Sequence, residues 1–275
     1  MSFLEKFLHS LEGEMTRPGN YGWFHLVSVF VIITLTVFLC LKFRDADEKV
    51  VRRILFIAWI VMMFAETLKQ VLFTFEYDGV SAVWDYQWYA FPYQLCGTPL
   101  VVLPFIVFLK EGKVRDAFMA FMSTFSLFGG LATFFYPNDV FVREIAINIQ
   151  TMLHHGLQIV LGVFIAVHNR RRLTHKYYLS SIPVFAGLLG LAMAMNIGVY
   201  HIFVAKGIDE TFNMFYVSPY FDCTLPVLSS IYPKVPYAIF IVLYIFGFVL
   251  ISAILHYGTK WIINLTSKKT SYVEE

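Results

Sequence analysis

A chain of 275 residues that is 58% hydrophobic and only 15% charged, with a mean hydropathy of +0.66, has more apolar surface than a water-soluble fold of that length can bury. A formal net charge of +2 with scattered basic residues excludes the concentrated positive face of a nucleic-acid-binding protein. The composition is that of a polytopic membrane protein.

The chain starts "MSFLEKFLHSLEGEM", without a short apolar core and small-residue cleavage site, so it is not read as a removable signal peptide. Phe3, Leu4, Phe7, Leu8 and Leu11 recur at helical spacing against Glu5, Lys6 and Glu12. This predicts a short interfacial amphipathic helix within residues 1–15, with a frayed terminus as the alternative. Seven stretches then approach the roughly 20 apolar residues that a bilayer core requires. They cover residues 22–42, 54–75, 92–110, 117–136, 145–168, 178–204 and 235–257. The expected fold is all-α, a bundle of seven transmembrane helices forming one integral membrane domain over 1–275. The second, fifth and sixth stretches carry polar residues inside apolar runs, which predicts that they face the bundle interior.

Basic residues are retained on the cytoplasmic side of a membrane. Lys42, Arg44, Lys49, Arg52 and Arg53 follow the first stretch; Lys110, Lys113 and Arg115 follow the third; Arg170, Arg171, Arg172 and Lys176 follow the fifth. The opposite loops are poor in Lys and Arg, and "EYDGVSAVWDYQWYAFPY" has none. The N-terminus is therefore expected outside and the C-terminus inside, in a multi-pass protein of the cell membrane.

Polar residues within the apolar stretches are costly and point to function or to mutual neutralisation. In the second stretch Glu66 and Lys69 share a helix face at i, i+3, and most simply neutralise each other; the alternative is a Lys69 that binds a phosphate or carboxylate head group. The third opens "FPYQLCGTPLVV", with Cys96 near a helix N-terminus that favours the thiolate. Pro92 marks an expected first turn, and the amides of Gly97 and Thr98 are candidate oxyanion donors, although Pro99 removes one amide and makes a short irregular turn an equal alternative. The fifth contains "LHHG", with His154 and His155 about 15 Å from its outer end at 1.5 Å per residue. Adjacent residues lie about 100° apart around a helix, so the two imidazoles are expected to have different jobs. Gly156 permits a close helix approach, and Asn148 and Gln150 line the outer half of the same stretch. The sixth adds Asn196 and His201, and the following loop Asn213.

Cys96, His154, His155, Glu66, Lys69, Asn196 and Asn213 all fall on the extracytoplasmic side, which makes them candidate site residues. The three cysteines fit no zinc or redox spacing, so neither a metal nor a cofactor is expected; Cys40 reads as buried filler, and a Cys96–Cys223 disulfide is the structural alternative for that pair.

The layout of "FPYQLC" opening a span, "LHHG" within a later one and "NMFY" after the sixth resembles the YwaF family of bacterial integral membrane proteins and its eukaryotic relatives of the transmembrane-protein-164 type. The resemblance implies a seven-helix acyltransferase in which a cysteine takes an acyl chain from a phospholipid and passes it to a lysophospholipid, or to water. By position it makes Cys96 the nucleophile and His155 the base. His154, Glu66, Lys69, Asn196 and Asn213 would then bind substrate, with membrane lipids as donor and acceptor and no soluble partner. The competing reading is a non-catalytic transporter or small-molecule-binding protein in which Glu66, Lys69 and His155 hold or relay an ion.

Overall fold

A computed structural model describes residues 2–11, 13–77, 81–137 and 140–271, and within them the chain is mostly helical. Its helices are α1 (Phe3–Leu11), α2 (Trp23–Phe43), α3 (Glu48–Leu72), α4 (Thr98–Phe108), α5 (Lys113–Phe121), α6 (Leu127–Phe135), α7 (Ile145–His168), α8 (His175–Lys206), α9 (Leu228–Ile231) and α10 (Tyr237–Ser271). A π turn, Met122–Ser126, joins α5 to α6 in one continuous rod, and a small hairpin of β1 (Phe75–Tyr77) and β2 (Ala82–Trp84) lies between α3 and α4.

Helix boundaries follow local chemistry. α3 begins at Asp47, whose carboxylate accepts from the Val50 amide at 2.8 Å, and α8 begins at Thr174, whose hydroxyl accepts from the Tyr177 amide at 3.2 Å. α8 stops at Gly207, left-handed at φ 66°, and the Ile208 amide closes back onto the Phe203 carbonyl at 3.0 Å.

Six helices among the described residues are long and apolar enough to cross a membrane: Trp23–Phe43, Glu48–Leu72, Lys113–Phe135, Ile145–His168, His175–Lys206 and Tyr237–Leu265. The third expected stretch forms a shorter apolar helix, Leu95–Phe108. At 1.5 Å per residue this run rises about 21 Å, short of the hydrocarbon thickness of a bilayer. Residues before it stay irregular because the Gln94 side chain is committed to backbone groups elsewhere, giving Nε2–H to the Asn213 carbonyl (2.9 Å) and accepting from the Phe215 amide (2.7 Å). The whole segment nonetheless runs antiparallel along α3. Gln70 Nε2 donates to the Ala90 carbonyl (2.9 Å), Trp59 Nε1 to Leu100 (3.0 Å) and Arg52 Nη1 to Val107 (2.5 Å).

Two rods form the centre. Of the apolar windows, that of α7 is 67% buried and that of Lys113–Phe135 is 61%, against 28% for α3, 22% for α8 and 11% for α2. The expectation of interior helices thus holds for the fifth stretch, while the second and sixth bury only a stripe that includes Glu66 and Asn196. The fourth takes the other central place because small residues, rather than polar ones, let it close on α7. A Cβ on Gly130 would sit 2.7 Å from the His155 carbonyl oxygen, and one on Gly162 2.8 Å from Leu127 Cβ. On the other side of α7, Gly156 receives Ile32 of α2.

The N-terminal expectation of a short helix is met by α1, with Leu8 buried; Glu12 lies outside the described residues. Backbone bonds from Met15 to Arg143 (2.8 Å) and from Ile145 to Gly13 (2.9 Å) tie the segment after α1 to the start of α7.

Candidate functional site

Cys96 sits in a 3-10 turn, Leu95–Gly97, that leads directly into α4. Its geometry explains Gly97. An added Cβ there would lie 2.8 Å from the Pro92 carbonyl oxygen, so the chain folds back on itself more tightly than a side chain allows. Pro99, in the first turn of α4, needs no N–H partner. The first turn thus falls later than Pro92. The proposed oxyanion donors are already used, since the Gly97 amide bonds the Gln94 carbonyl at 2.8 Å and the Thr98 amide bonds the Leu95 carbonyl.

The carbonyl of Cys96 accepts two hydrogen bonds from α7, from His154 Nε2 at 2.8 Å and from Gln158 Nε2 at 2.5 Å. A carbonyl only accepts, so His154 carries its proton on Nε2, and its Nδ1 is a buried acceptor with no partner among the described residues. His155 points its Nδ1 at the Thr151 carbonyl, 2.8 Å away and one turn back in the same helix. That bond fixes the other tautomer, with the proton on Nδ1 and the lone pair on Nε2. The adjacent imidazoles do make different contacts: one clamps the thiol's backbone, and the other bonds within its own helix and keeps an unprotonated Nε2.

A cavity of about 650 Å³ opens beside them. Cys96, His154, His155, Glu66, Lys69 and Gln150 are its polar lining within the bundle, and Leu8, Phe73, Phe75, Tyr89, Phe91 and Tyr216 supply apolar surface toward the mouth. This is the size and character of a small-molecule or lipid-segment site. Glu66 accepts from Lys69 Nζ (2.8 Å), Gln70 Nε2 (2.8 Å) and Gln150 Nε2 (3.1 Å), so both of its oxygens are engaged. At the mouth, burial pushes the Tyr89 phenol above its ordinary value, with the Glu144 carboxylate adding to the effect, so Tyr89 remains a hydrogen-bond donor at neutral pH.

Five of the seven site candidates meet at this cavity. Asn196 and Asn213 are not among its lining residues. Asn196 exchanges two bonds with the Met214 backbone, at 2.7 and 2.9 Å, and Asn213 gives Nδ2–H to the Asp222 carbonyl (3.1 Å) while accepting from the Ser218 amide (2.9 Å). They shape the 213–218 loop to which Gln94 is anchored, and so act on the Cys96 turn at a distance. Gln158 was not singled out in the sequence, although it lies four residues after His154 and hence on the same face. All three cysteines are free thiols, which removes the Cys96–Cys223 disulfide, and burial pushes the Cys223 thiol up.

A family model described as the TMEM164 family matches residues 20–257, a span that contains every residue of the thiol turn and of the "LHHG" helix. The chain belongs to the TMEM164 family. The match bears out the transmembrane-protein-164 part of the resemblance. No curated protein and no solved structure matches. The TMEM164-family chain is thus a multi-pass membrane protein whose thiol turn, paired imidazoles and charged pair share one cavity.

The pairing of Glu66 with Lys69 has a mutational consequence. Glu66→Gln leaves the Lys69 ammonium without its carboxylate in a poorly hydrated site and is expected to cost about 3 kcal/mol, whereas Glu66→Gln with Lys69→Met removes both charges and costs clearly less. Thermal unfolding of the purified variants in detergent measures both. A double variant as unstable as the single one contradicts mutual neutralisation.

Proposed function

We propose that the chain is a membrane-embedded, thiol-dependent acyltransferase acting on phospholipids and lysophospholipids, with Cys96 as nucleophile and His155 as general base. The observation that carries this reading is the His155–Thr151 hydrogen bond, which leaves the Nε2 lone pair free on a side chain that lines the same cavity as Cys96. In the first half-reaction, Nε2 takes the thiol proton as Sγ attacks the ester carbonyl carbon of a phospholipid. The tetrahedral intermediate collapses by breaking the carbon–oxygen bond, and the departing lysophospholipid alkoxide receives the proton from His155. In the second, His155 deprotonates the hydroxyl of an acceptor lysophospholipid. That oxygen attacks the thioester, and the carbon–sulfur bond breaks to return the thiol. Water in place of the acceptor gives hydrolysis.

With the Gly97 and Thr98 amides committed, Lys69 is the cationic group available on the cavity to stabilise the oxyanion or to hold the lipid phosphate. His154 and Gln158 are positioning residues in this scheme. The cavity's length of apolar wall suits an acyl chain.

The reading extends to topology. Residues 90–107 lie alongside residues 52–70, which supports the segment containing α4 as a seventh crossing, completed by its irregular start. The basic loops then belong to the cytoplasmic face, with the N-terminus outside, the C-terminus inside and the cavity open to the outer leaflet of the cell membrane. Within the family, "FPYQLC" and "LHHG" are what favour the YwaF branch.

Two outcomes are expected. On intact cells, a cysteine replacing exposed Glu76 at the cavity mouth reacts with a membrane-impermeant thiol reagent and one replacing Arg171 does not; the opposite pattern inverts the orientation. In proteoliposomes containing a radiolabelled phospholipid and an unlabelled lysophospholipid, the wild-type chain transfers label, Cys96→Ala abolishes transfer, and His155→Ala slows it by about a hundredfold or more. Transfer that survives Cys96→Ala rules out the covalent route, and absence of any transfer or hydrolysis by the wild-type chain favours the non-catalytic binding protein.

A further inference from the structure

The end of the bundle opposite the thiol site holds a second cavity, of about 430 Å³. Arg44, Arg115, Arg170, Arg171 and Arg172 line it, against the carboxylates of Asp45, Glu48 and Glu111. These residues come from the three basic loops that follow α2, α4 and α7. The loops are tied in a closed cycle of ion pairs: Arg170 with Asp45 joins the third loop to the first, Arg115 with Glu48 the second to the first, and Arg172 with Asp116, at 2.6 Å, the third to the second.

Topology alone accounts for the sign of these loops. It requires basic residues on one face of the membrane, in any arrangement. It does not require that five guanidinium groups from three loops wall one cavity, nor that Arg115 be only 2% exposed there, with Nε bonded to the Ile106 carbonyl at 2.7 Å. The charges do not cancel. Five guanidinium groups face three carboxylates, Arg172 spends one donor on Asp116 outside the lining, and the Arg171 side chain has no hydrogen bond or ion pair among the described residues. Arg44 gives Nε to Asp45 at 3.1 Å and keeps its terminal donors, and guanidinium donors left over in this way suit the oxygens of a phosphate group. Phe38 and Leu41, in the last turns of α2 before Arg44, are exposed apolar side chains, so an apolar face of α2 ends within a turn of this lining residue.

We propose that this arginine cavity binds a phosphate anion, and that the phosphate is carried by the head group of an anionic lipid in the adjoining leaflet. The site is separate from the thiol cavity and does not depend on the chemistry of Cys96. The Arg115–Glu48 and Arg170–Asp45 pairs pre-organise it, while Arg44 and Arg171 hold the donors that remain for the ligand.

Native mass spectrometry of the delipidated full-length chain, titrated separately with dioleoylphosphatidylglycerol, dioleoylphosphatidylcholine and inorganic phosphate, tests this. The wild-type chain is expected to retain phosphatidylglycerol in preference to phosphatidylcholine. Arg44→Gln and Arg171→Gln should each weaken that retention about fivefold, and Arg171→Lys should recover part of it. Inorganic phosphate that binds with the same arginine dependence and displaces the lipid supports the phosphate site but assigns it to the free anion; lipid retention indifferent to phosphate assigns it to the head group. Equal retention of the two lipids, or retention of phosphatidylglycerol undiminished in the Arg44→Gln, Arg171→Gln double variant, overturns the proposal.

Discussion

Two donors from one helix hold the carbonyl oxygen of Cys96, and the thiol cavity depends on that pair of bonds. A backbone carbonyl within an apolar bundle must find a partner, and an irregular turn at membrane depth supplies its own partners poorly. His154 and Gln158 of α7 meet that need, and in doing so dock the start of α4 against the most buried helix of the protein. The consequence extends to the next residue. With His154 turned toward the thiol's backbone, His155 lies about 100° further round the helix, satisfies its Nδ1 within its own turn, and keeps its Nε2 unprotonated.

The same helix connects the two ends of the molecule. Near its start α7 brings Gln150 to the Glu66–Lys69 pair and Thr151, His154 and His155 to the thiol cavity. At its other end, His168 and Asn169 line the arginine cavity. Glycines on α6 and α7 make this possible, since any larger residue at Gly130 would press on the His155 carbonyl. A central, closely packed rod therefore sets the depth of both cavities, and the more exposed α2, α8 and α10 give their apolar side chains to the lipid.

Much of this was legible in the residues. Apolar length located the long helices, and the i, i+3 spacing of Glu66 and Lys69 gave their pairing. The adjacency of His154 and His155 gave their division of labour. What escaped had one cause: backbone groups choose partners by proximity in space, and composition does not show which. Asn196 and Asn213 look like ligands in an apolar context, yet the 213–218 loop claims them both. The Gly97 and Thr98 amides look free at a helix start, yet the 3-10 turn consumes them. Residues 92–94 look like the first turn of a full span, yet Gln94 is anchored to Asn213 and Phe215 instead. The fourth stretch is not among those that polar content marks as interior, because small residues rather than polar ones decide which helices can approach.

The central claim is that Cys96 carries an acyl group during turnover, and a covalent adduct tests it most directly. The purified chain is mixed with a phospholipid in the absence of acceptor, quenched in acid and digested for peptide mass spectrometry. The account predicts a hydroxylamine-sensitive acyl adduct on Cys96, absent from Cys40 and Cys223, that is discharged when lysophospholipid is added and fails to form in His155→Ala. A wild-type chain that transfers acyl groups with Cys96 never modified would contradict it.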